Sequence, residues 1–437
     1  MAPSLREHER LAAALELEAA GRPLEADRLA HALLAQQPGH PGASSLAARL
    51  AVQRGDPAQA VSLLQTALRL HPQDTQVPVD LAIVHATAGR AREAMATLEV
   101  LCERQPEAHE AWLLLASLRD ATGDATGALW ACFEAVTRAR RAGRWIDDDT
   151  TPQALRPLVF AAFERLERQR RELYFASYAP VREAHGDAAV QRIDRALRGF
   201  LKEIDTTPAD TRQRPRFLFV PDLPHQPYHD PALQPWADAL REAFPRVRDE
   251  ALRVMAEDAG LEDFVKAPGG GRARDHLGGP AAEPVWEAFF FYRHGRRYDE
   301  HHARCPQTSA LLESIELCRI ADQSPEICFS VLRPGTHILP HHGVTNLRLV
   351  MHLPLVVPPD CALNVVDGGV HAWQEGRLVM FDDTFQHEAW NRSSSSRVIL
   401  LMDCWNPHLT PAERDAGRRL VETITRLGQA RRVEVPH

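Results

Sequence analysis

Paired cysteine is missing from this chain. Its seven cysteines are an odd number and no two form a CxxC pair, which excludes a disulfide framework and a thiolate zinc site. Long apolar runs are missing as well. The most apolar stretch, Leu349–Pro358, contains His352 and has the length of a strand, so no membrane span is expected. The opening residues, MAPSLREHER, lack the apolar centre of a secretion signal. Positive charge is not in excess either: 51 basic against 59 acidic side chains leave a formal charge of −8, not the basic face that nucleic acid requires. These absences predict a cytoplasmic protein with neither a nucleic-acid nor a membrane partner. What is present is ordinary for a globular chain, 44% hydrophobic and 25% charged. At roughly 100–200 residues per domain, 437 residues predict two or three domains. Histidine is the one excess, with 21 copies concentrated in the C-terminal half.

The N-terminal third repeats. Gly21, Gly55, Gly89 and Gly123 are spaced by 34 residues, and each is followed five positions later by an alanine, Ala26, Ala60, Ala94 and Ala128. Pro38, Pro72 and Pro106 stand seventeen positions after the first three glycines, whereas the fourth repeat has Arg140 there. The spacing predicts helix–turn–helix units. Glycine supplies the turn, alanine lets two helices approach, and proline stops the second helix. Leu24, Leu33 and Leu34, then Val61, Leu63, Leu64 and Leu68, recur at helical spacing and are expected to fill the seam between units. The pattern resembles the tetratricopeptide repeat over residues 1–140, which implies a concave surface able to hold a peptide or protein. A scaffolding or dimerising role for the array is equally open. Residues 141–215 read as a helical connector ending in the linker Thr206–Arg216.

The period changes in residues 216–437. After a helical stretch over Pro235–Glu257, short alternating runs are separated by Gly, Pro, Asn, Asp and Ser about every ten residues, the pattern of a double-sheet jelly roll. The fold class expected is thus α+β and multidomain, a helical solenoid followed by a jelly roll, or double-stranded β-helix. His341 follows a proline bend; His387 comes 46 residues later and Arg397 ten after that. The run to Trp390, the turn NRSSSS and the run from Arg397 predict a hairpin that puts His387 and Arg397 on adjacent strands. Arg348, Val350 and His352 alternate along one face, and Ser330 lies on the preceding strand CFSVL. Two neutral imidazoles suit a divalent metal such as Fe(II), and a buried arginine calls for a carboxylate ligand that fills its fork. His337 is expected in a turn, His301 and His302 on a solvated loop, and Asp382 and Asp383 capping a turn rather than ligating metal. Cys328, Cys361 and Cys404 read as small buried strand residues.

The ordered motifs PGTHILPHHGVTNLRLVMHLPLVVPPDCAL and FDDTFQHEAWNRSSSSRVILLMDCWNP, preceded by FVPDLPHQPYHDP and PQTSALLESIELC, resemble the aspartyl/asparaginyl β-hydroxylase family of Fe(II)/2-oxoglutarate dioxygenases, across residues 216–415. The resemblance implies His341 and His387 as the metal ligands. It also implies that no carboxylate ligand stands two residues after the first, where this chain has Gly343. By the same resemblance Arg397 and Ser330 hold the distal carboxylate of 2-oxoglutarate and His352 its metal-side carboxylate. Better-known relatives have arginine where this chain has Val350, and Arg348 on the same face is the expected substitute. The implied reaction uses O₂, Fe(II) and 2-oxoglutarate to hydroxylate the β-carbon of an aspartyl or asparaginyl group in a peptide, protein or small molecule, releasing succinate and CO₂, with the repeats holding the substrate. Two rivals stand beside it: a repeat scaffold with a degenerate jelly roll, and a metal-dependent jelly roll that uses no 2-oxoglutarate and leaves Arg397 without a role. Ligation by ordinary imidazoles predicts iron affinity that falls below about pH 6.5.

Overall fold

The computed structural model describes residues 5–257, 260–264, 276–365 and 368–432. It divides into two compact units, residues 1–173 with 426–437, and Tyr174–Thr425.

The first unit is built from antiparallel helix pairs: α1 (Leu5–Ala19) with α2 (Pro23–Gln36), α3 (Pro41–Gln53) with α4 (Pro57–Leu70), α5 (Gln76–Thr87) with α6 (Ala91–Arg104), and α7 (His109–Ala121) with α8 (Ala125–Arg141). Each repeat glycine sits in the turn inside a pair at φ between 73° and 86°, a conformation that side chains with a Cβ disfavour. The four repeat alanines are fully buried, so the helices of a pair meet over a methyl group. α2, α4 and α6 each end two residues before the repeat proline, while α8, with Arg140 there, runs on to Arg141. Leu33 and Leu64 fill the seam as expected. Leu24 does not: it is 70% exposed. Two residues advance a helix by about 200°, so the face that buries Ala26 turns Leu24 outward.

The connector expected over 141–215 is divided between the units. α9 (Arg156–Arg168) belongs to the first, where Arg165 pairs with Asp120 at 2.5 Å. α10 (Arg170–Ser177) spans the boundary, and α11 (Ala179–His185) and α12 (Gln191–Phe200) belong to the second. There Arg192 pairs with the buried carboxylate of Glu413, on the final helix α16 (Pro411–Arg432), at 2.5 Å.

The second unit contains two antiparallel sheets. The larger runs β1 (Tyr228–His229), β11 (Val379–Phe381), β8 (Arg348–Val356), β13 (Arg397–Trp405), β6 (Ile327–Leu332), β4 (Trp286–Arg293) and β2 (Glu262–Asp263), with β5 (Arg296–Arg297) beside β4. The smaller runs β10 (Gly369–Ala372), β9 (Cys361–Val365), β12 (His387–Asn391), β7 (His337–His341) and β3 (Leu277–Gly278). One face of the large sheet, with Leu349, Met351, Leu353, Val398, Leu400 and Met402, packs on α13 (Ala237–Glu257) and α15 (Pro306–Ser314). The intervening residues face the small sheet, where Val350, Phe381 and Leu332 meet Leu363, Val365 and Ala389. Strict alternation thus buries both faces of β8 and β13, and the residues at 348, 350 and 352 point between the sheets. Among the described residues no helix is long and apolar enough to cross a membrane.

The hairpin expected between His387 and Arg397 does not form. β12 pairs with β7 and β9, whereas β13 pairs with β6 and β8, so the NRSSSS segment is a corner that carries the chain from one sheet to the other. Fully buried Asn391 pins that corner. Its Nδ2 donates to the carbonyls of Leu332 and Ser395, both at 2.8 Å, and its Oδ1 accepts from the Ser393 N–H at 3.0 Å and hydroxyl at 2.7 Å. Asn391→Ala strands these groups, and chemical denaturation is expected to show a loss of about 2–3 kcal/mol.

Candidate functional site

A cavity of about 460 Å³ lies between the two sheets, lined by residues of β6, β7, β8, β12 and β13. His341 and His387 are direct register partners on β7 and β12, with ring centroids 4.1 Å apart. The Nδ1 of His341 lies 2.8 Å from the carbonyl of Leu339, and the Nδ1 of His387 lies 3.0 Å from that of Phe385. A carbonyl only accepts, so each Nδ1 carries the proton and each Nε2 keeps a lone pair, the tautomer a metal-ligating imidazole needs. Burial, reinforced by neighbouring His341, pushes the His387 pKa down to about 3, and burial also lowers that of His341. Both rings are therefore neutral at pH 7.

The sign of the accompanying stability effect follows. Between about pH 6.5 and 3 the unfolded chain binds a proton at residue 387 that the folded chain refuses, so stability rises with pH across that window. The metal-free chain is expected to lose up to about 1.4 kcal/mol per pH unit for this group on acidification below pH 6.5, measurable by denaturation at stepped pH.

The large sheet supplies the facing residues. Arg397 is 1% exposed, and among the described residues no carboxylate lies within ion-pairing distance of it. Among the described residues its hydrogen bonds are long contacts, 3.5 Å, to the carbonyl and hydroxyl of Ser330, its Nε has no partner, and its Cζ sits 4.8 Å above the Trp373 ring. Burial lowers its pKa to about 10, which leaves it a cation at neutral pH. The Trp286 indole donates to the Ser330 hydroxyl at 2.9 Å. An indole N–H can only donate, so the serine O–H stays available to a ligand. His352 is 5% exposed, both its ring nitrogens lack partners, and its ring stands edge-on to Phe381 at 5.1 Å. Burial and the Arg397 charge hold it neutral.

The structure thus brings Ser330, His341, Arg348, His352, His387 and Arg397 to one cavity. Arg348 has a task the sequence reading did not foresee: it pairs with Asp403 at 2.9 Å and Asp383 at 3.3 Å, so its charge is met without a co-substrate. Asp382 does cap its turn, accepting from the Thr384 N–H at 2.9 Å, but Asp383 is a cavity wall. Asp403 could have been found, since it shares the alternation of Arg397, Ile399 and Leu401 on β13. Trp373, on no strand, had no such signal. Three further expectations change. His337 opens β7 and contacts Glu388 at 2.7 Å; His301 stacks on Phe289 at 3.9 Å; and His302 is buried on the short helix α14 (Asp299–Arg304).

No cluster of three or more His, Cys, Asp or Glu side chains able to hold a metal occurs among the described residues. Position 343 shows why a side-chain ligand is missing there. A Cβ added to Gly343 would meet the Asp383 carboxylate carbon at 2.1 Å. Gly343→Ala is expected to cost about 1–3 kcal/mol, read by denaturation, because it displaces a carboxylate held by Arg348.

A domain of two facing antiparallel sheets, with a histidine pair on one and a buried guanidinium on the other, is the class of protein defined so far. The comparisons make it specific. Residues 241–407 match the family model described as aspartyl/asparaginyl beta-hydroxylase, and residues 11–75 and 51–118 match tetratricopeptide-repeat models. The chain is 36% identical over 180 residues to the aspartyl/asparaginyl beta-hydroxylase of Mus musculus, covering 40% of this chain and 22% of that protein. It is 32% identical over 234 residues to aspartate beta-hydroxylase domain-containing protein 2 of Mus musculus, covering 52% and 63%. It is also 32% identical over 192 residues to the ornithine lipid ester-linked acyl 2-hydroxylase of Rhizobium tropici, covering 44% and 64%. In each case the match spans less than two thirds of the relative. Residues 241–407 are thus similar to the aspartyl/asparaginyl beta-hydroxylase family model and stand behind segments similar to tetratricopeptide repeats.

Proposed function

We propose that the sheet domain is an Fe(II)- and 2-oxoglutarate-dependent dioxygenase that hydroxylates an unactivated carbon. The observation that carries this is Arg397: a buried guanidinium with no carboxylate partner among the described residues, in the cavity onto which the histidine pair opens. Burying an unpaired cation costs several kcal/mol, and a bound dicarboxylate removes that cost through a bidentate contact.

The donor set fits iron. Two neutral imidazoles with fixed tautomers offer Nε2 lone pairs, and in this reading they are the only side chains that hold the metal. When bound, the metal supplies O₂ activation, coupled to decarboxylation of 2-oxoglutarate to succinate and CO₂. The chain's own residues do the rest. Arg397 and the free O–H of Ser330 fix the distal carboxylate, and neutral His352 donates one N–H to the metal-side carboxylate. Phe381 and Trp373 keep water from the cavity.

The family resemblance points to an aspartyl or asparaginyl β-carbon as the target. The name of the ornithine-lipid relative points to an acyl chain. The repeats, in this reading, bring the peptide or protein substrate to a cytoplasmic enzyme. Calorimetry with 2-oxoglutarate, followed by Fe(II)-dependent formation of succinate, tests the proposal; absence of both defeats it.

A further inference from the structure

Three arginines line the cavity, and Arg397 is taken by the co-substrate in the reading above. Arg348 is held between Asp403 and Asp383, at 2.9 and 3.3 Å. Arg293 is held by Glu262 and by the carbonyl of Phe264, both at 2.9 Å. At 350, on the strand between Arg348 and His352, the side chain is the uncharged valine.

Carboxylates are in surplus at this end. Asp383, Asp403 and Glu326 all line the cavity. Asp383 is 7% exposed and its Oδ1 has no hydrogen-bond partner among the described residues. Glu326 accepts the backbone N–H of His294 at 2.9 Å. The orphaned Asp383 acceptor calls for a donor. A second carboxylate entering here would find only arginines that are already paired, beside carboxylates that burial and mutual repulsion already shift upward, Glu326 to about 7 and Asp383 above its ordinary value. An ammonium group brings three donors and the missing positive charge. The lining also includes Ile399, Leu401, Leu363 and Val350, an apolar surface that suits an alkyl chain.

We infer that the end of the cavity lined by Asp383, Asp403 and Glu326, with the orphaned Oδ1 of Asp383 as acceptor, takes an ammonium group carried on an apolar chain and turns away a carboxylate. This rests on the oxygenase reading only in assigning Arg397 to the co-substrate.

The test uses the full chain with Fe(II) under argon and saturating 2-oxoglutarate, titrated with n-hexylamine and, separately, with n-hexanoate. The amine is expected to bind at least about tenfold more tightly, the factor that one hydrogen bond to a charged group supplies. Glu326→Gln is expected to weaken the amine several-fold while leaving the affinity for 2-oxoglutarate unchanged. Equal or tighter binding of hexanoate overturns the inference, as does failure of the amine to bind or an amine affinity indifferent to Glu326→Gln. A separate titration of 2-oxoglutarate alone isolates the other failure: if it does not bind, the oxygenase reading falls. The amine–carboxylate comparison is then made in Arg397→Met, where the competing cation is gone.

Discussion

Arg397→Met is expected to abolish 2-oxoglutarate binding while leaving the melting temperature unchanged or raised. The two halves of this result come from one cause. A guanidinium 1% exposed without a carboxylate partner among the described residues is a net cost in the ligand-free fold, several kcal/mol even after relaxation. Methionine has a similar reach and no charge, so it removes that penalty and keeps contact with Trp373 and Ile399. The ligand loses two charge-assisted hydrogen bonds worth about 1.5–3 kcal/mol each, which lowers affinity by a factor on the order of 10²–10⁴. Thermal melts read both at once. In the unaltered chain, 2-oxoglutarate at about 100 times its Kd adds about 2.7 kcal/mol of stability, and in the methionine variant it adds nothing. If Arg397 were a structural residue, the variant would melt well below the parent and still bind the ligand.

Periodicity accounts for what was legible beforehand. The 34-residue spacing of Gly21, Gly55, Gly89 and Gly123 is a local constraint repeated four times, and the helix pairs follow directly from it. Alternation along β8 likewise put Arg348 and His352 on one face of the sheet, the face from which Arg397, Ile399 and Leu401 of β13 also enter the cavity. What local patterns do not carry is the choice of partner over a long range. His387 and Arg397 reach one cavity, but from opposite sheets, because Asn391 turns a corner that looks in sequence like a hairpin loop. The same limit hid the Arg348–Asp383–Asp403 cluster, whose members are separated by 35 residues or belong to neighbouring strands of one sheet. Leu24 lies outside the seam for a simpler reason: it stands about 200° around α2 from buried Ala26, off the apolar stripe.

His387→Ala is expected to reduce Fe(II) affinity by more than about 100-fold, since even outer-shell changes at metal-bound histidines cost 10–100-fold. In the proposed reading His341 and His387 are the two ligands, so the variant keeps one of two protein nitrogens on the metal. The pH dependence of binding by the unaltered chain then distinguishes ligation by these particular histidines from ligation by surface ones. Ordinary imidazoles at about pKa 6.5 lose roughly 30-fold in affinity per histidine at pH 5, because protons occupy the ligand nitrogen. Burial holds His387 at about 3, so the proton does not compete there at pH 5, and burial lowers His341 below the ordinary value. The fall expected from sequence below about pH 6.5 is therefore reduced: affinity measured anaerobically is expected to drop by less than the roughly 30-fold of one unperturbed ring between pH 7 and pH 5. A drop approaching 10³-fold over that interval, the product for two unperturbed rings, would place the iron on exposed histidines elsewhere in the chain.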